Sequence, residues 1–180
     1  MAYARLNHRG MACAACAVAM TFSFLSCAHV PTSAAEPVNL ALKKPASSSS
    51  IENDEHNAAQ ANDGDPDTCW IADDEPEAGP EWWQVDLERP FDLSGCQIRF
   101  PYDGKKYQYK VEGSTDKQSW SLLSDQTNTA TKAQIHNLKF QPAGQIRYLK
   151  ITVTGFDEGC WASISEVKVF GLEQSVGAPP

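Results

Sequence analysis

Groups that could perform acid–base or metal chemistry are scarce in this sequence. It contains four histidines, of which only His56 and His136 follow residue 35. We find no Ser-His-Asp arrangement, no carboxylate pair at catalytic spacing and no zinc-ligand spacing. Because an enzyme needs a nucleophile with its base, a paired acid and base, or an open metal position, the sequence predicts a domain that binds and does not catalyse.

Positive charge is also in short supply. Lys and Arg number 15 against 23 Asp and Glu, which gives a formal net charge of −8. Binding to nucleic acid or to an anionic membrane depends on a basic patch that releases counterions, so neither partner is expected. The candidate loops are acidic too, and their acidic residues are Asp73, Asp74, Glu75, Glu77, Asp157 and Glu158.

No apolar run reaches the roughly 20 residues that a transmembrane helix needs. The longest lies near the start, where Arg5 and Arg9 precede the apolar stretch Met11–Cys27 and small residues end at Ala35. This layout predicts a bacterial signal peptide over residues 1–35, cleaved on export, with a permanent transmembrane helix as the weaker alternative. The protein is therefore expected to be secreted, periplasmic or on the cell surface.

A second processing site stays open within that leader. Phe24-Leu25-Ser26-Cys27 resembles the lipobox of bacterial lipoproteins, in which the cysteine is lipidated and becomes the new N-terminus. Phe24 stands where that motif usually has Leu. A lipid on Cys27 would then be the only membrane contact. At the other end of the chain, residues 172–180 are expected to form a short tail.

Cysteine is limited after the leader, because three of the six cysteines precede residue 36. Cys69, Cys96 and Cys160 remain, so at most one internal disulfide can form, and the sequence alone does not fix which pair it joins. Cys96 alternates with Ile98 and Phe100. This alternation predicts a buried thiol that packs as a small hydrophobe.

Short apolar runs dominate the rest of the chain, and no stretch keeps helical periodicity over three turns. The runs are rich in β-branched and aromatic residues and are separated by Gly, Pro, Asp and Asn. Their alternation predicts antiparallel strands with one buried face, and their number predicts an all-β sandwich whose end loops carry function. The predicted strands are Trp82–Leu87, Cys96–Phe100, Tyr107–Ser114, Trp120–Leu123, Ala133–Leu138, Ile146–Thr154 and Ile164–Gly171.

Six groups of residues, each weak alone, occur in a distinctive order. They are Asn39–Ala41 with Lys44–Ala46, Ala61–Asp65 with Thr68 and Trp70, Trp82–Leu87, Tyr109–Glu112 with Ser114, Asp116 and Trp120, Arg147–Ile151, and Ala162–Val167. Together they resemble the discoidin, or coagulation factor five/eight type C, family, which includes bacterial family 32 carbohydrate-binding modules. The resemblance covers nearly all of the chain after the leader.

The resemblance implies a galactose-binding-like jelly-roll β-sandwich over residues 36–171, with its two ends close together. Members of this family usually bind glycans, membrane lipids or proteins, so the fold leaves the ligand open. We expect a non-catalytic carbohydrate-binding module with a glycan or polysaccharide as partner. The alternative is an adhesion or scaffold domain that recognises a protein or a membrane surface.

A calcium site is expected in the acidic turn Asp63–Thr68, which combines three carboxylates, a hydroxyl and a glycine. Calcium binds six to eight oxygens in flexible geometry. By the resemblance, a structural Ca²⁺ would be held by the side chains of Asp63, Asp65, Thr68 and Glu166 and by carbonyl groups near Gln60 and Ser165. An acidic turn with Asx hydrogen bonds and no ion would explain the same residues.

The resemblance also places a sugar site in the end loops. Sugars stack on an aromatic face, while a few polar groups pair with their hydroxyls. Trp161 would supply that face beside the loops of His56 and Tyr102, and His56 would hydrogen-bond a sugar hydroxyl. In the alternative interpretation, Trp161 caps the core.

Arg99 and Trp82 complete the predicted ligand site. Relatives present an arginine from the strand that holds Arg99, although Lys105 or Lys106 could serve instead. Trp82 would line the pocket while Trp83 packs in the core, because successive strand residues point to opposite faces.

The charge of the last loop bears on the ligand. Asp157-Glu158-Gly159 stands where galactose-binding relatives often carry Asn, which puts galactose itself in question. A neutral or cationic saccharide is expected, because Asp157 and Glu158 would repel an acidic one. The family arrangement also brings Cys69 and Cys160 to neighbouring ends of the sandwich, which suggests a disulfide that would rigidify the aromatic loop.

Overall fold

The structure is a computed structural model that describes residues 37–73 and 80–171. The predicted signal peptide, the lipidation site Cys27 and the predicted C-terminal tail lie outside the described residues, as does the stretch 74–79. Within the described ranges no helix has both the length and the apolar character to cross a membrane. The two short 3-10 turns found there, Asp54–His56 and Ala58–Ala61, both belong to the loops that precede the second strand.

The described chain is built from nine strands, and every pairing between them is antiparallel. This architecture confirms the predicted all-β sandwich. The strands are β1 (Ala46–Ser48), β2 (Trp70–Ile71), β3 (Trp82–Arg99), β4 (Tyr107–Ser114), β5 (Ser121–Asp125), β6 (Ile135–Lys139), β7 (Gln145–Phe156), β8 (Ser163–Ile164) and β9 (Glu166–Gly171).

Strand β3 belongs to both layers of the sandwich. Its first part pairs with β1 and β7, in the order β1-β3-β7-β4-β5, and its last part pairs with β6 and β9. The sequence predicted two separate strands here, Trp82–Leu87 and Cys96–Phe100. The structure instead bends one strand there, with a register shift between Asp86 and Phe91 and a positive φ of 67° at Glu88. The Asp86 carboxylate supports the bend by accepting a hydrogen bond from the Glu88 N–H at 2.7 Å.

A glycine is required at the second irregularity of β3. The register with β9 shifts between Leu93 and Gly95, where β6 also pairs with β3. A Cβ atom on Gly95 would lie 2.1 Å from the carbonyl oxygen of Leu138, a clash with backbone that no side-chain rotation relieves. The chain therefore passes into the second layer at a position that only glycine fits.

The core lies between the two layers and follows the predicted alternation. Tyr107, Tyr109 and Val111 of β4 are fully buried, as is Cys96, whose burial was predicted. Phe100 stacks on Tyr107 with ring centroids 4.2 Å apart. Because β-strand side chains alternate between faces, the same alternation sends the intervening polar residues to the outer surface.

Two buried tryptophans fix the loops before β3 to this core. Trp70 and Trp83 are both fully buried. The indole N–H of Trp70 donates to the carbonyl of Ser50 at 2.9 Å, and that of Trp83 donates to the carbonyl of Ala58 at 2.8 Å. A buried indole needs such a partner, so burial of the two rings also positions the polar segment between Ser50 and Ala58.

The two ends of the described chain are adjacent, as the resemblance implies. The Leu40 N–H donates to the Val169 carbonyl at 2.8 Å, and the Asn39 side-chain oxygen accepts from the Val169 N–H at 3.0 Å. The entering chain thus adds to the outer side of β9 and satisfies backbone groups that β9 would otherwise expose.

His136 is a buried polar group in the core. Its Nδ1 accepts from the Tyr109 hydroxyl at 2.7 Å, its Nε2 donates to the Ala133 carbonyl at 3.0 Å, and its ring packs edge-on against Phe100. These contacts suit the neutral imidazole, because one nitrogen accepts and the other donates. Burial lowers the pKa of His136 below its ordinary value.

This arrangement predicts an acid-dependent loss of stability. The unfolded chain takes up a proton on His136 more readily than the folded chain does. The contribution of neutral His136 to the free energy of unfolding is therefore fully present above about pH 6.5 and is lost as the pH falls below that value. His136→Gln keeps polar atoms at this position but cannot titrate. We expect the free energy of unfolding to fall less steeply between about pH 7.5 and 5.5 in the variant than in the wild type, as measured by urea denaturation. Parallel curves for the two proteins would contradict this assignment.

Candidate functional site

Three segments are joined at one end of the sandwich. Strands β2 and β8 pair there through Trp70 with Ile164 and Ile71 with Ser163, and the Ala72 N–H donates to the Ala162 carbonyl at 2.9 Å. The loop before β2 joins them through the Glu52 N–H, which donates to the Ile71 carbonyl at 2.9 Å. Backbone hydrogen bonds therefore fix the loop around His56, strand β2 and the loop around Trp161 side by side.

Exposed aromatic side chains are concentrated in these end loops. Trp161 is 42% exposed and Tyr102 is 43% exposed, so Trp161 does not cap the core as the alternative interpretation held. Tyr102 lies in the loop 101–106, which contacts the loop of Trp161 because the Lys105 ammonium donates to the Glu158 carbonyl at 2.9 Å. The structure thus brings the two predicted aromatic ligand residues to the same end of the molecule.

Phe156 is a third exposed aromatic residue at this end, and the sequence interpretation missed it. It is the last residue of β7, lies opposite Tyr107 in the β4–β7 pairing, and is 45% exposed. A register shift between Gln108 and Tyr109 interrupts the alternation of the pair. Its position was the available signal, because Phe156 follows the predicted strand Ile146–Thr154 and so begins the loop that leads to Trp161.

Asp157 braces the loop that carries Trp161. Its carboxylate accepts from the Lys106 N–H at 3.0 Å, and its own N–H donates to the Lys106 carbonyl at 3.0 Å. The ammonium groups of Lys106 and Lys132 lie 3.6 and 3.4 Å from its two carboxylate oxygens. These contacts lower the pKa of Asp157, chiefly through the backbone hydrogen bond from Lys106. Its charge is therefore balanced within the loop, which leaves Glu158 as the residue that would repel an acidic ligand.

His56 directs both ring nitrogens at groups of the protein. Its Nδ1 lies 3.1 Å from the Cys69 carbonyl oxygen and 3.6 Å from the Cys69 sulfur, and its Nε2 lies 3.6 Å from a carboxylate oxygen of Glu52. Asn53 caps the short turn by accepting from the N–H groups of Glu55 and His56. Burial, with a smaller contribution from the Glu52 charge, raises the pKa of the Cys69 thiol. The predicted contact between His56 and a sugar hydroxyl would have to compete with these internal contacts.

Trp82 and Arg99 occupy the two ends of β3. Trp82 is partly exposed, its backbone pairs with Ser49, and the adjacent Trp83 is fully buried. The opposite directions predicted for the two tryptophans are thus confirmed. Arg99 lies opposite Glu166 in the β3–β9 pairing, and its buried Nε has no hydrogen-bond partner among the described residues. The structure therefore groups Arg99 with a predicted calcium ligand.

Glu166 is a buried carboxylate that faces the acidic turn. It is 4% exposed, one carboxylate oxygen accepts from the Gly64 N–H at 3.1 Å, and the other has no partner in the described part of the chain. Burial, opposed in part by the Gly64 hydrogen bond, raises the pKa of Glu166 to about 7, with the charges of Asp63 and Asp65 adding to the shift. No ammonium or guanidinium group among the described residues lies within ion-pair distance of Glu166, although the charge of Lys168 opposes part of the shift.

Oxygen atoms also converge on the Thr68 hydroxyl. It lies 3.0 Å from an Asp63 carboxylate oxygen, 2.9 Å from the Asp65 carbonyl and 3.3 Å from the Gln60 carbonyl. One hydroxyl hydrogen can serve only one of these three acceptors. Gly64 allows the tight turn through its positive φ of 92°.

The turn also forms the Asx hydrogen bonds of the alternative interpretation, from the Asp65 N–H to Asp63 and from the Asp67 N–H to Asp65. In residues 37–73 and 80–171, no three His, Cys, Asp or Glu side chains form a group that could hold a metal ion by themselves. A cation here would need the hydroxyl and carbonyl oxygens as well. The unpartnered oxygen of Glu166 and the surplus of acceptors around Thr68 fit such a cation.

The predicted disulfide between Cys69 and Cys160 is wrong for this structure, in which both residues and Cys96 are free thiols. The reason is the direction of the side chains. The Cys69 sulfur points at His56, whereas Cys160 is buried and packs within the hydrophobic core. Family arrangement placed the two loops correctly at one end but did not fix the side-chain geometry that a disulfide demands.

Comparison with known proteins gives a family match and similar solved structures. The family model of the F5/8 type C domain matches residues 44–167. Among curated proteins, none matches this sequence.

Three solved structures illustrate the likeness. The chain is similar to CpGH89CBM32-4 of Clostridium perfringens in complex with GlcNAc-α-1,4-galactose, at 26% identity and a TM-score of 0.64, over 76% of this chain and 96% of that one. It is similar to chitosan-binding module 2 of a Paenibacillus sp. IK-5 chitosanase/glucanase in complex with chitotriose, at 26% identity and a TM-score of 0.62, over 74% and 100%. The family 32 module of NanJ from C. perfringens, in complex with galactose, shares the fold at 22% identity and a TM-score of 0.60, over 71% and 93%.

The free thiols give a direct prediction. Alkylation of the denatured protein without any reductant should modify Cys69, Cys96 and Cys160, each detected by peptide mass spectrometry. A matched sample reduced before alkylation should show the same modification at these three residues. A Cys69–Cys160 cross-linked peptide in the unreduced sample would contradict the free-thiol geometry.

Proposed function

Since this chain belongs to the F5/8 type C domain family, we propose that it is a non-catalytic carbohydrate-binding module. The observation that carries the proposal is the pair of exposed aromatic side chains, Trp161 and Tyr102, in hydrogen-bonded loops at one end of the sandwich. An aromatic face fixed on a rigid scaffold stacks on a sugar ring with little loss of conformational entropy. Phe156 extends the apolar surface at the same end.

The polar groups near these aromatic residues favour a neutral or cationic saccharide. Lys106 and Lys132 are engaged by Asp157, and the Lys105 ammonium donates to the Glu158 carbonyl at 2.9 Å. Because Lys105 contacts the Glu158 backbone and not its side chain, the Glu158 carboxylate would still repel an anionic ligand. A neutral or cationic sugar would not meet this repulsion. The similar structures in complex with GlcNAc-α-1,4-galactose and with chitotriose support this ligand class.

A catalytic role is not proposed for this site. His56 is the one histidine in the loops described at this end, and its ring nitrogens face Cys69 and Glu52. His136 is buried in the core. The predicted export over residues 1–35 agrees with a protein that meets polysaccharides outside the cell, and export remains part of the proposal.

We further propose that a Ca²⁺ ion stabilises the fold by joining the acidic turn to β9. Asp63, Asp65 and Thr68 would hold it from the turn and Glu166 from β9, with carbonyl groups near Gln60 and Ser165 completing an all-oxygen set. The ion would supply positive charge to buried oxygens that lack a partner, and so would be structural.

Replacement of the exposed aromatic residues tests the binding site. A glycan array with the full chain identifies a saccharide, and calorimetry with that saccharide should give millimolar to micromolar affinity, about −4 to −8 kcal/mol. Trp161→Ala should weaken binding at least tenfold, about 1.4 kcal/mol, and Tyr102→Ala should weaken it to a lesser degree. Leu122→Ala, at an exposed apolar residue of β5, is the matched control and should bind like the wild type.

Two outcomes would overturn the proposal. Equal saccharide affinity in the wild type and in a folded Trp161→Ala variant would move the site elsewhere. Sedimentation with liposomes, or hydrolysis of aryl glycosides by the purified chain, in the absence of any array signal, would favour a membrane-binding or enzymatic function.

Calcium binding is tested by thermal unfolding with calcium or with chelator. An ion at 100 times its Kd adds about 2.7 kcal/mol to the free energy of unfolding, so chelation should lower the Tm. Glu166→Gln should abolish this response, and in chelator it should not lower the Tm, because an amide of the same shape removes a buried, unpartnered charge. Glu158→Gln, at an exposed acid outside the turn, should keep the full response. A Tm that calcium does not change in the wild type would remove the ion from the proposal.

A further inference from the structure

A thiol, an imidazole and a carboxylate form a cluster that saccharide binding does not require. Cys69 contributes its sulfur and its carbonyl oxygen, and both face Nδ1 of His56, at 3.6 and 3.1 Å. Glu52 faces the opposite nitrogen, Nε2, at 3.6 Å. Cys69 and His56 are both only partly buried, so an ion from solution can reach them.

The separations match those of two atoms bound to one metal ion. Zinc bonds to imidazole nitrogen at about 2.0 Å and to thiolate sulfur at about 2.3 Å. In a tetrahedral site these bond lengths place the nitrogen and the sulfur about 3.5 Å apart. The observed distance between Nδ1 and the Cys69 sulfur is 3.6 Å, so an ion fits between them once the thiol is ionised and Nδ1 has released the proton that it can donate to the Cys69 carbonyl.

The other side of the ring is arranged as in metal sites. A histidine ligand usually donates its second ring N–H to a carboxylate, which fixes the orientation of the ring and makes the ligating nitrogen more basic. The Glu52 carboxylate lies on this side of the ring, 3.6 Å from Nε2, which is beyond hydrogen-bond length but within ion-pair distance, and the Asn53 cap with the Glu52–Ile71 backbone hydrogen bond fixes both residues.

The geometry points to a binding site for a borderline-soft divalent cation such as Zn²⁺, formed by the Cys69 sulfur and the His56 Nδ1 and supported by the Cys69 carbonyl, with Glu52 as a positioning residue. The site has two ligating side chains, so water or a ligand group completes the coordination. It is distinct from the all-oxygen set around Glu166, because thiolate and imidazole select zinc-like ions and carboxylates select calcium. A bound ion would join the loop of His56 to the residue that precedes Trp70.

Cobalt(II) is the probe, because a thiolate bound to Co²⁺ gives a near-ultraviolet charge-transfer band. The full chain is used with Cys13→Ser, Cys16→Ser and Cys27→Ser throughout, so that Cys69, Cys96 and Cys160 are its only thiols, and calcium is kept in excess. We expect a band that saturates at one equivalent of Co²⁺ per chain and is displaced by Zn²⁺.

Variants then assign the ligands. Cys69→Ser and His56→Ala should abolish the band, Glu52→Gln should weaken Co²⁺ binding by about 10- to 100-fold, and Cys160→Ser should leave it unchanged. Circular dichroism confirms that each variant is folded. If Cys69→Ser does not fold, zinc X-ray absorption of the parent chain decides, because it should show one sulfur and at least one imidazole nitrogen around the metal.

The proposal fails on any of three results. These are the absence of a band at a hundredfold excess of Co²⁺, a band that persists in folded Cys69→Ser or disappears in Cys160→Ser, and a zinc shell without sulfur. In each case the close approach of Cys69 and His56 would be a hydrogen bond between neutral groups.

Discussion

The continuity of β3 is the constraint on which the rest of the structure depends. One strand supplies pairing partners to both layers, so the register of β1 and β7 on one side is fixed relative to that of β6 and β9 on the other. A shift of one residue would send every side chain of a strand to the opposite face. The fixed register therefore keeps the apolar side chains of both layers facing the same core. At the bends the pairing is interrupted between Asp86 and Phe91 and shifts between Leu93 and Gly95, and it resumes after each one along the same strand.

The fold could be predicted from local pattern because local pattern encodes burial. The alternation at Tyr107, Tyr109 and Val111 is a consequence of one face being in the core, and all three are buried. The continuity through Glu88-Arg89-Pro90 could not be predicted, since these residues also suit a loop and only the long-range pairing with β7 shows that the strand resumes. The short strands β1 and β2 were not predicted either, because two or three residues are too few to show an alternation of apolar and polar side chains.

The candidate site was predictable at the level of which loops meet and not at the level of where side chains point. Trp161 and Tyr102 were assigned to one end from the family resemblance, and both are there and exposed. His56 was expected to face a ligand, yet its ring lies against Cys69 and Glu52. Cys69 and Cys160 share an end without sharing a bond. Rotamers depend on neighbours distant in sequence, which no motif of a few residues specifies.

The contrast among the tryptophans has an optical consequence. Trp70 and Trp83 are sealed in the core with their indole N–H groups satisfied, Trp82 and Trp120 are partly covered, and Trp161 is the exposed one of the five. Emission from the sealed rings is shielded from aqueous quenchers, whereas that from Trp161 is not. Trp161 therefore acts as an intrinsic reporter in the loop proposed to bind saccharide, and a ligand that covers its ring would lower the quenchable fraction of the fluorescence without any added label.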